Sequence, residues 1–448
     1  VTMELTNQRQ KVSLSILKKD AETGKPLEGV VFGLYAQEDI KNAAGEVVVE
    51  KDALIELGTT DEEGKLVFQA DLPHGKYYIQ EVEHKPGYLP NDEVYSFDAS
   101  YTDQTLELLA FSEEISNQPT ITEFTKVDLT GGQEIEGAKM QILDQDGKVV
   151  EEWVSKKEPH VVYALEPGEY VLHEEQAPTE QGYVRAEDVK FVVEETGDVQ
   201  KVKMEDDHTK VSISKTDITD GKEIEGAKLQ ILDQDGEVVE SWTTGEEHLI
   251  EYLPVGTYTL HEEAAVDGYI VANDVEFTVE ETGEIQKVKM EDERAMGQLV
   301  IVKTDADSKA ALEGVEFVLM EKETGKEVER LKTGKDGKAV SSLLPIGTYE
   351  NGTFKEPITY VLKETAALEG YEKTEEEWEI VFSYQNDKTP VIEVVKEIQN
   401  KKIPEAPGTV KPGPKTGDDT NWFLPLLALG VSAGMVAGLL YYRKRHRK

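Results

Sequence analysis

From residue 11 to residue 400 the chain alternates apolar and polar positions in short runs bounded by Gly, Pro and Asp-Gly steps. That period of two is the signature of half-buried β-strands. Val12, Leu14 and Ile16 share one face, and Lys18 ends the run on the same face. Val211 and Ile213 lead in the same way to Lys215, Leu299 and Ile301 to Lys303, and Phe124, more weakly, to Lys126. Each such strand is followed by one that ends in a glutamate of inward parity. Tyr77 and Ile79 lead to Glu81, Tyr170 and Leu172 to Glu174, Tyr258 and Leu260 to Glu262, and Tyr360 and Leu362 to Glu364. A third strand closes each unit at an inward amide or acid: Asn117 after Ile115, Asp206 after Met204, Asp292 after Met290, and Asn400 after Ile398. The pattern predicts an all-β chain of four tandem sandwich domains, each sending an amine, a carboxyl and an amide or second carboxyl into its core.

A lone buried charge is so costly that real groups pair or become neutral. Desolvation lowers a lysine's pKa and raises a glutamate's. A neutral amine is a nucleophile, and a neutral carboxylic acid can donate a proton. Such a trio holds the ingredients of amide formation: the lysine attacks the side-chain carbonyl of Asn or Asp, ammonia or water leaves, and the glutamate relays protons. Oriented groups reach effective molarities of about 10⁵–10⁸ M, enough for a slow reaction to run to completion once. A buried ion-pair network with no bond fits the same pattern.

The stretch from Lys18 to Phe32, with Thr23-Gly24-Lys25-Pro26-Leu27-Glu28-Gly29 at its centre, resembles the opening of a Cna B-type (SpaA-like, prealbumin-like) domain of Gram-positive surface proteins. Gly75-Lys76-Tyr77-Tyr78-Ile79-Gln80-Glu81, followed by Lys85-Pro86-Gly87-Tyr88, resembles the strand and turn that carry that family's catalytic acid. The resemblance implies Ig-like or prealbumin-like sandwiches. It also implies isopeptide bonds Lys18–Asn117, Lys126–Asp206, Lys215–Asp292 and Lys303–Asn400, with Glu81, Glu174, Glu262 and Glu364 as proton relays.

The chain has 448 residues, too many for one core. With 91 acidic and 48 basic residues its net charge is −43, which repels nucleic acid and anionic surfaces. It contains no cysteine, so a bond between first and last strands would fill the place of a disulfide in an exported protein. The second and third units are near duplicates: Glu134-Ile135-Glu136-Gly137-Ala138 returns 89 residues later as Glu223-Ile224-Glu225-Gly226-Ala227. The first and fourth units are longer between lysine and glutamate, 63 and 61 residues against 48 and 47, which predicts extra hairpins or loops such as 37–58 and 349–357, the places to look if any unit binds a ligand through a loop.

Residues 1–9 read as the last strand of a truncated preceding domain, with Asn7 its orphan acceptor eleven residues before Lys18. At the other end, Pro404, Pro407, Pro412 and Pro414 mark a spacer. Pro414-Lys415-Thr416-Gly417 then precedes an apolar run at 422–442 and the basic tail Arg443-Lys444-Arg445-His446-Arg447-Lys448. The run is long enough for a transmembrane helix with its basic end cytoplasmic. The three parts together resemble a sortase cell-wall sorting signal, although Gly413 stands where Leu is usual. That implies cleavage between Thr416 and Gly417, a sortase transpeptidase and a peptidoglycan precursor as partners, only transient membrane insertion, and secretion to an anchored position on the cell wall. The expected organisation is therefore 1–9, four Cna B-type domains at 10–118, 119–207, 208–294 and 295–402, a linker at 403–413 and the signal at 414–448.

The eight histidines are scattered, and no metal site, triad or phosphate loop emerges. Asp144-Gln145-Asp146-Gly147 and its copy at Asp233 have part of a calcium-loop pattern, but an Asp-Gly hairpin turn explains them better. No cofactor and no turnover enzyme are expected, only self-crosslinking. The reading is a structural stalk presenting an N-terminal region away from the wall. The alternatives are a sortase-polymerised pilin subunit and an adhesin whose repeats bind a host matrix protein or glycan.

Overall fold

The computed structural model describes residues 10–101 and 105–404. Asn7, the linker beyond residue 404, the sorting motif Pro414–Gly417 and the 422–442 run lie outside them. Among the described residues no helix is long and apolar enough to cross a membrane. Apart from one 3-10 turn, Thr179–Gln181, the regular structure of the described residues is β throughout.

Four sandwiches follow one another. In the first, strands β1 (Lys11–Asp20) and β2 (Leu108–Asn117) lie side by side and parallel, with Lys65–Val67 on the other edge of β1. The facing sheet orders Leu54–Thr59, Val31–Ala36, Lys76–Glu83 and Val94–Asp98. Parallel neighbours need a long crossover, and here the crossover is the rest of the domain. The same parallel pairing of first and last strands recurs as Ile121–Asp128 with Val199–His208, Lys210–Asp217 with Ile285–Arg294, and Met296–Asp305 with Val391–Asn400. Each core is filled by the alternate residues that the period of two selects. In the first domain these include Leu14, Ile16, Phe32, Leu34, Tyr77, Ile79 and Ile115.

The Asp-Gly stretches are turns. Asp144 Oδ1 accepts from the amides of Asp146 and Lys148, and Gly147 takes the positive φ of 78° that a side chain would resist. The extra length of the first domain forms a small hairpin, Ile40–Lys41 with Val47–Val49. The extra length of the fourth forms the hairpin Gly347–Glu350 with Thr353–Pro357, and this one is not a free loop. Tyr349 donates to the Gly268 carbonyl at 2.7 Å, so the hairpin is seated on the third domain.

Candidate crosslinking sites

Parallel register explains how the lysine meets its partner. Lys18 lies opposite Ile115, so Asn117 is one diagonal step further along the neighbouring strand and within reach of a long side chain. Lys126 opposite Met204, Lys215 opposite Met290 and Lys303 opposite Ile398 repeat this offset. The glutamate arrives from the facing sheet. In all four domains a β-bulge follows it directly: Phe32 pairs with Glu81 but Val31 with Glu83, and Met140, Leu229 and Phe317 stand in the same relation to Glu174, Glu262 and Glu364. A bulge bends its strand and re-aims the side chain beside it.

In the first domain Lys18 Nζ donates to Asn117 Oδ1 at 2.5 Å and lies 2.8 Å from Glu81 Oε2, while Asn117 Nδ2 donates to Glu81 Oε1 at 2.8 Å. The fourth domain repeats it: Lys303 Nζ is 2.5 Å from Asn400 Oδ1 and 2.8 Å from Glu364 Oε2, and Asn400 Nδ2 donates to Glu364 Oε1 at 2.6 Å. Both lysines are fully buried. Burial pulls their pKa down, against the opposing pull of Glu81 and Glu364. The amide is held with its oxygen on the amine and its nitrogen on the carboxyl, so the carbonyl carbon is presented to Nζ and the leaving nitrogen to a proton carrier.

In the second and third domains the acceptor is an acid. Lys126 contacts Asp206 and lies 3.0 Å from Glu174 Oε2; Lys215 contacts Asp292 and lies 2.9 Å from Glu262 Oε2. The Ala186 and Ala272 amides donate to the glutamates. The remaining oxygens, Glu174 Oε1 with Asp206 Oδ2 and Glu262 Oε1 with Asp292 Oδ2, have no donor unless one carboxyl of each pair keeps a proton. Burial, opposed by the lysine and reinforced by the glutamate's charge, pushes Asp206 and Asp292 up to about 7. A protonated Asp beside an amine can lose water, whereas a carboxylate cannot.

All twelve expected residues of the four trios thus converge in threes. Each site holds a fourth buried polar residue, an acid that the sequence reading did not single out. Asp20, Asp128, Asp217 and Asp305, each two residues after the lysine, lie opposite the acceptor in register. One oxygen caps the turn that ends the lysine strand, and the other accepts a tyrosine hydroxyl, from Tyr88, Tyr252, Tyr269 and Tyr371 respectively. Burial would raise the pKa of Asp20, Asp128 and Asp217, but these hydrogen bonds outweigh it and hold all three below the carboxylate range. The signal was present: Lys-x-Asp puts both charges on one face four times. His173 and His261, each next in sequence to a trio glutamate, are on the surface and paired with Asp188 and Asp274.

A family model described as SpaA, prealbumin-like fold domain, matches residues 12–111, 120–208, 209–294 and 297–398. Among solved structures, the chain is similar to the Bacillus anthracis TIE protein at 22% identity, covering 88% of this chain and 73% of that one, with a TM-score of 0.46. It is also similar to BcpA, the major pilin subunit of Bacillus cereus, at 14% identity, 64% and 100% coverage and a TM-score of 0.27. The full-length major pilin SpaD of Corynebacterium diphtheriae matches at 15% identity, 89% and 99% coverage and a TM-score of 0.22. Among curated proteins no sequence matches the chain.

Proposed function

Because the chain belongs to the family of SpaA prealbumin-like fold domains, of which it carries four in tandem, we propose that it is the stalk of a Gram-positive surface protein, stiffened by isopeptide bonds that it forms itself. The observation that carries this reading is the fourfold recurrence of a buried lysine amine against an Asn or Asp side chain with a glutamate touching the amine.

The reaction balances within each trio. Neutral Lys18 Nζ attacks the Asn117 side-chain carbon, Glu81 takes a proton from the amine and returns it to the departing nitrogen, a C–N bond forms, a C–N bond breaks, and ammonia leaves. Lys303, Glu364 and Asn400 act alike. In the second and third domains the carboxyl of Asp206 or Asp292 loses its hydroxyl as water, with Glu174 or Glu262 as the relay. Each bond would join a domain's first strand to its last, which lie parallel, so that a pull entering one strand passes to the other without peeling the sheets apart. Pro414-Lys415-Thr416-Gly417 with the apolar run and basic tail supports sortase attachment to a peptidoglycan precursor, with the apolar run in the membrane only until cleavage.

Intact mass tests the reading directly. Four bonds lower the mass by about 17 Da for each Lys–Asn pair and about 18 Da for each Lys–Asp pair, about 70 Da in all, the ammonia and water that amide formation expels. A mass equal to the uncrosslinked sum would end the proposal.

A further inference from the structure

The second domain's reacting strands are gripped by a residue of the third. Tyr252, in the turn after His248–Glu251, donates its hydroxyl to Asp128 Oδ2 at 2.8 Å. Asp128 is two residues past Lys126 on the lysine strand. The Tyr252 ring stacks on His208 with centroids 3.9 Å apart and planes 16° from parallel. His208 is two residues past Asp206 on the acceptor strand. One side chain therefore touches both strands just beyond the pair that is to react. Neither contact is loose: Asp128 is fully buried, and His208 is 2% exposed.

The backbone fixes Tyr252 where it stands. It holds a φ of 61°, a region a tyrosine rarely adopts without support. Its amide donates to the carbonyl of Thr209, the single residue between the last strand of the second domain and the first of the third, and the Thr209 amide donates to the Gly182 carbonyl. Gly182 approaches so closely that a Cβ there would lie 2.3 Å from the Tyr252 carbonyl oxygen. The other domains close this end differently. In the first, Tyr88 of the same domain serves Asp20 alone and the corresponding residue of the next domain is Ala164, which has no hydroxyl, whereas in the second the domain's own Tyr183 shares Asp128 with Tyr252 and packs edge-on against its ring. In the third, Arg294, two residues past Asp292, spans the strands itself with Nε 2.6 Å from Asp217 Oδ2, and Tyr349 of the fourth domain covers its guanidinium at 4.1 Å.

We propose that Tyr252 is a positioning residue for the Lys126–Asp206 bond, supplied in cis by the following domain, so that the second domain crosslinks fast only once the third has docked. This rests on the crosslinking proposed above. Register is what brings Lys126 to Asp206, because the offset between the strands sets the diagonal. A clamp bonded to one strand and stacked on the other holds that offset against fraying, which is greatest at strand ends.

The test uses the whole chain made by cell-free translation in detergent micelles, quenched in acid at intervals and digested, so that mass spectrometry follows each crosslinked peptide pair separately. In Tyr252→Phe, which lacks only the hydroxyl, Lys126–Asp206 should form about tenfold more slowly, the factor expected from losing a hydrogen bond to a charged group. Lys215–Asp292, in Tyr252's own domain, should keep its wild-type rate. Asp128→Asn should slow the second domain alike. An unchanged Lys126–Asp206 rate in Tyr252→Phe overturns the proposal. So does equal slowing of Lys215–Asp292, which would make Tyr252 a residue for folding its own domain. If the wild-type chain never forms Lys126–Asp206, the crosslinking of that domain is itself wrong, and the positioning role falls with it.

Discussion

Replacing Glu81 by Gln separates the proton relay from the shape of the site. Gln keeps the side chain's size and still offers an oxygen to Lys18 Nζ, now 2.8 Å from Glu81 Oε2, but it cannot accept and return a proton. The bond between Lys18 and Asn117 should then fail to form, and the first domain alone should retain about 17 Da. Lys18 and Asn117 are 99 residues apart. A crosslink closing a loop of that length is worth about 4.7 kcal/mol in the chain-entropy model. For a domain of this size each kcal/mol moves the melting temperature by about 4–8 °C, so the loss amounts to a fall of about 20–40 °C. Scanning calorimetry of the full chain beside its Glu81→Gln variant should show one transition displaced by that amount and the others in place. Two results refute the reasoning. A bond that still forms in the variant removes the glutamate from the chemistry. A bond that is absent while the transition moves by less than about 5 °C removes the entropic account of what the crosslink contributes.

Other outcomes follow from the same geometry. The folded pKa of Asp206 and Asp292, about 7, lies above the ordinary 3.8, so the stabilising proton is fully held below about pH 4 and lost as pH rises through about 7. Relative to the Asn-bearing first and fourth domains, bond formation in the second and third should therefore fall off above that pH, by about tenfold per unit. Burial lowers the pKa of Lys18 and Lys303, so the first and fourth domains should react faster as pH rises and level off before the ordinary lysine value of 10.5, and timed peptide mapping across pH should show the two pairs of domains crossing. Gly182→Val places a side chain at a φ of 80° and against the Tyr252 carbonyl, a strain of about 1–3 kcal/mol. Spin labels on cysteines introduced into the second and third domains of this cysteine-free chain should report a broader distance distribution, and an unchanged width would contradict the rigid joint. Arg294→Met should loosen the joint between the third and fourth domains by about 1–2 kcal/mol, read in the same way.

The trios were legible because a strand's period of two is strict, and a lysine that shares parity with Leu14 and Ile16 has nowhere to go but inward. The clamps were less so. Lys-x-Asp marks Asp20, Asp128, Asp217 and Asp305 as inward on the same rule, yet nothing in the sequence near Asp128 says that its tyrosine is Tyr252, 124 residues away. The hairpin at 347–357 shows the same limit. Its extra length was visible and suggested a ligand loop, but the surface it covers belongs to the third domain.

By itself the sequence determined the all-β class, the four repeats and the identity of the buried amines, acids and amides. These follow from local alternation and from the high cost of burying an unpaired charge. Tertiary structure alone decided that first and last strands run parallel with the register that sets Lys18 diagonal to Asn117, and that a bulge after each glutamate turns it onto the amine. It also decided that the third domain's Tyr252 and the fourth domain's Tyr349 cover the strand ends of the domain before. Register, bulge and docking depend on which surfaces meet across tens of residues, and alternation within one strand carries no information about its partner.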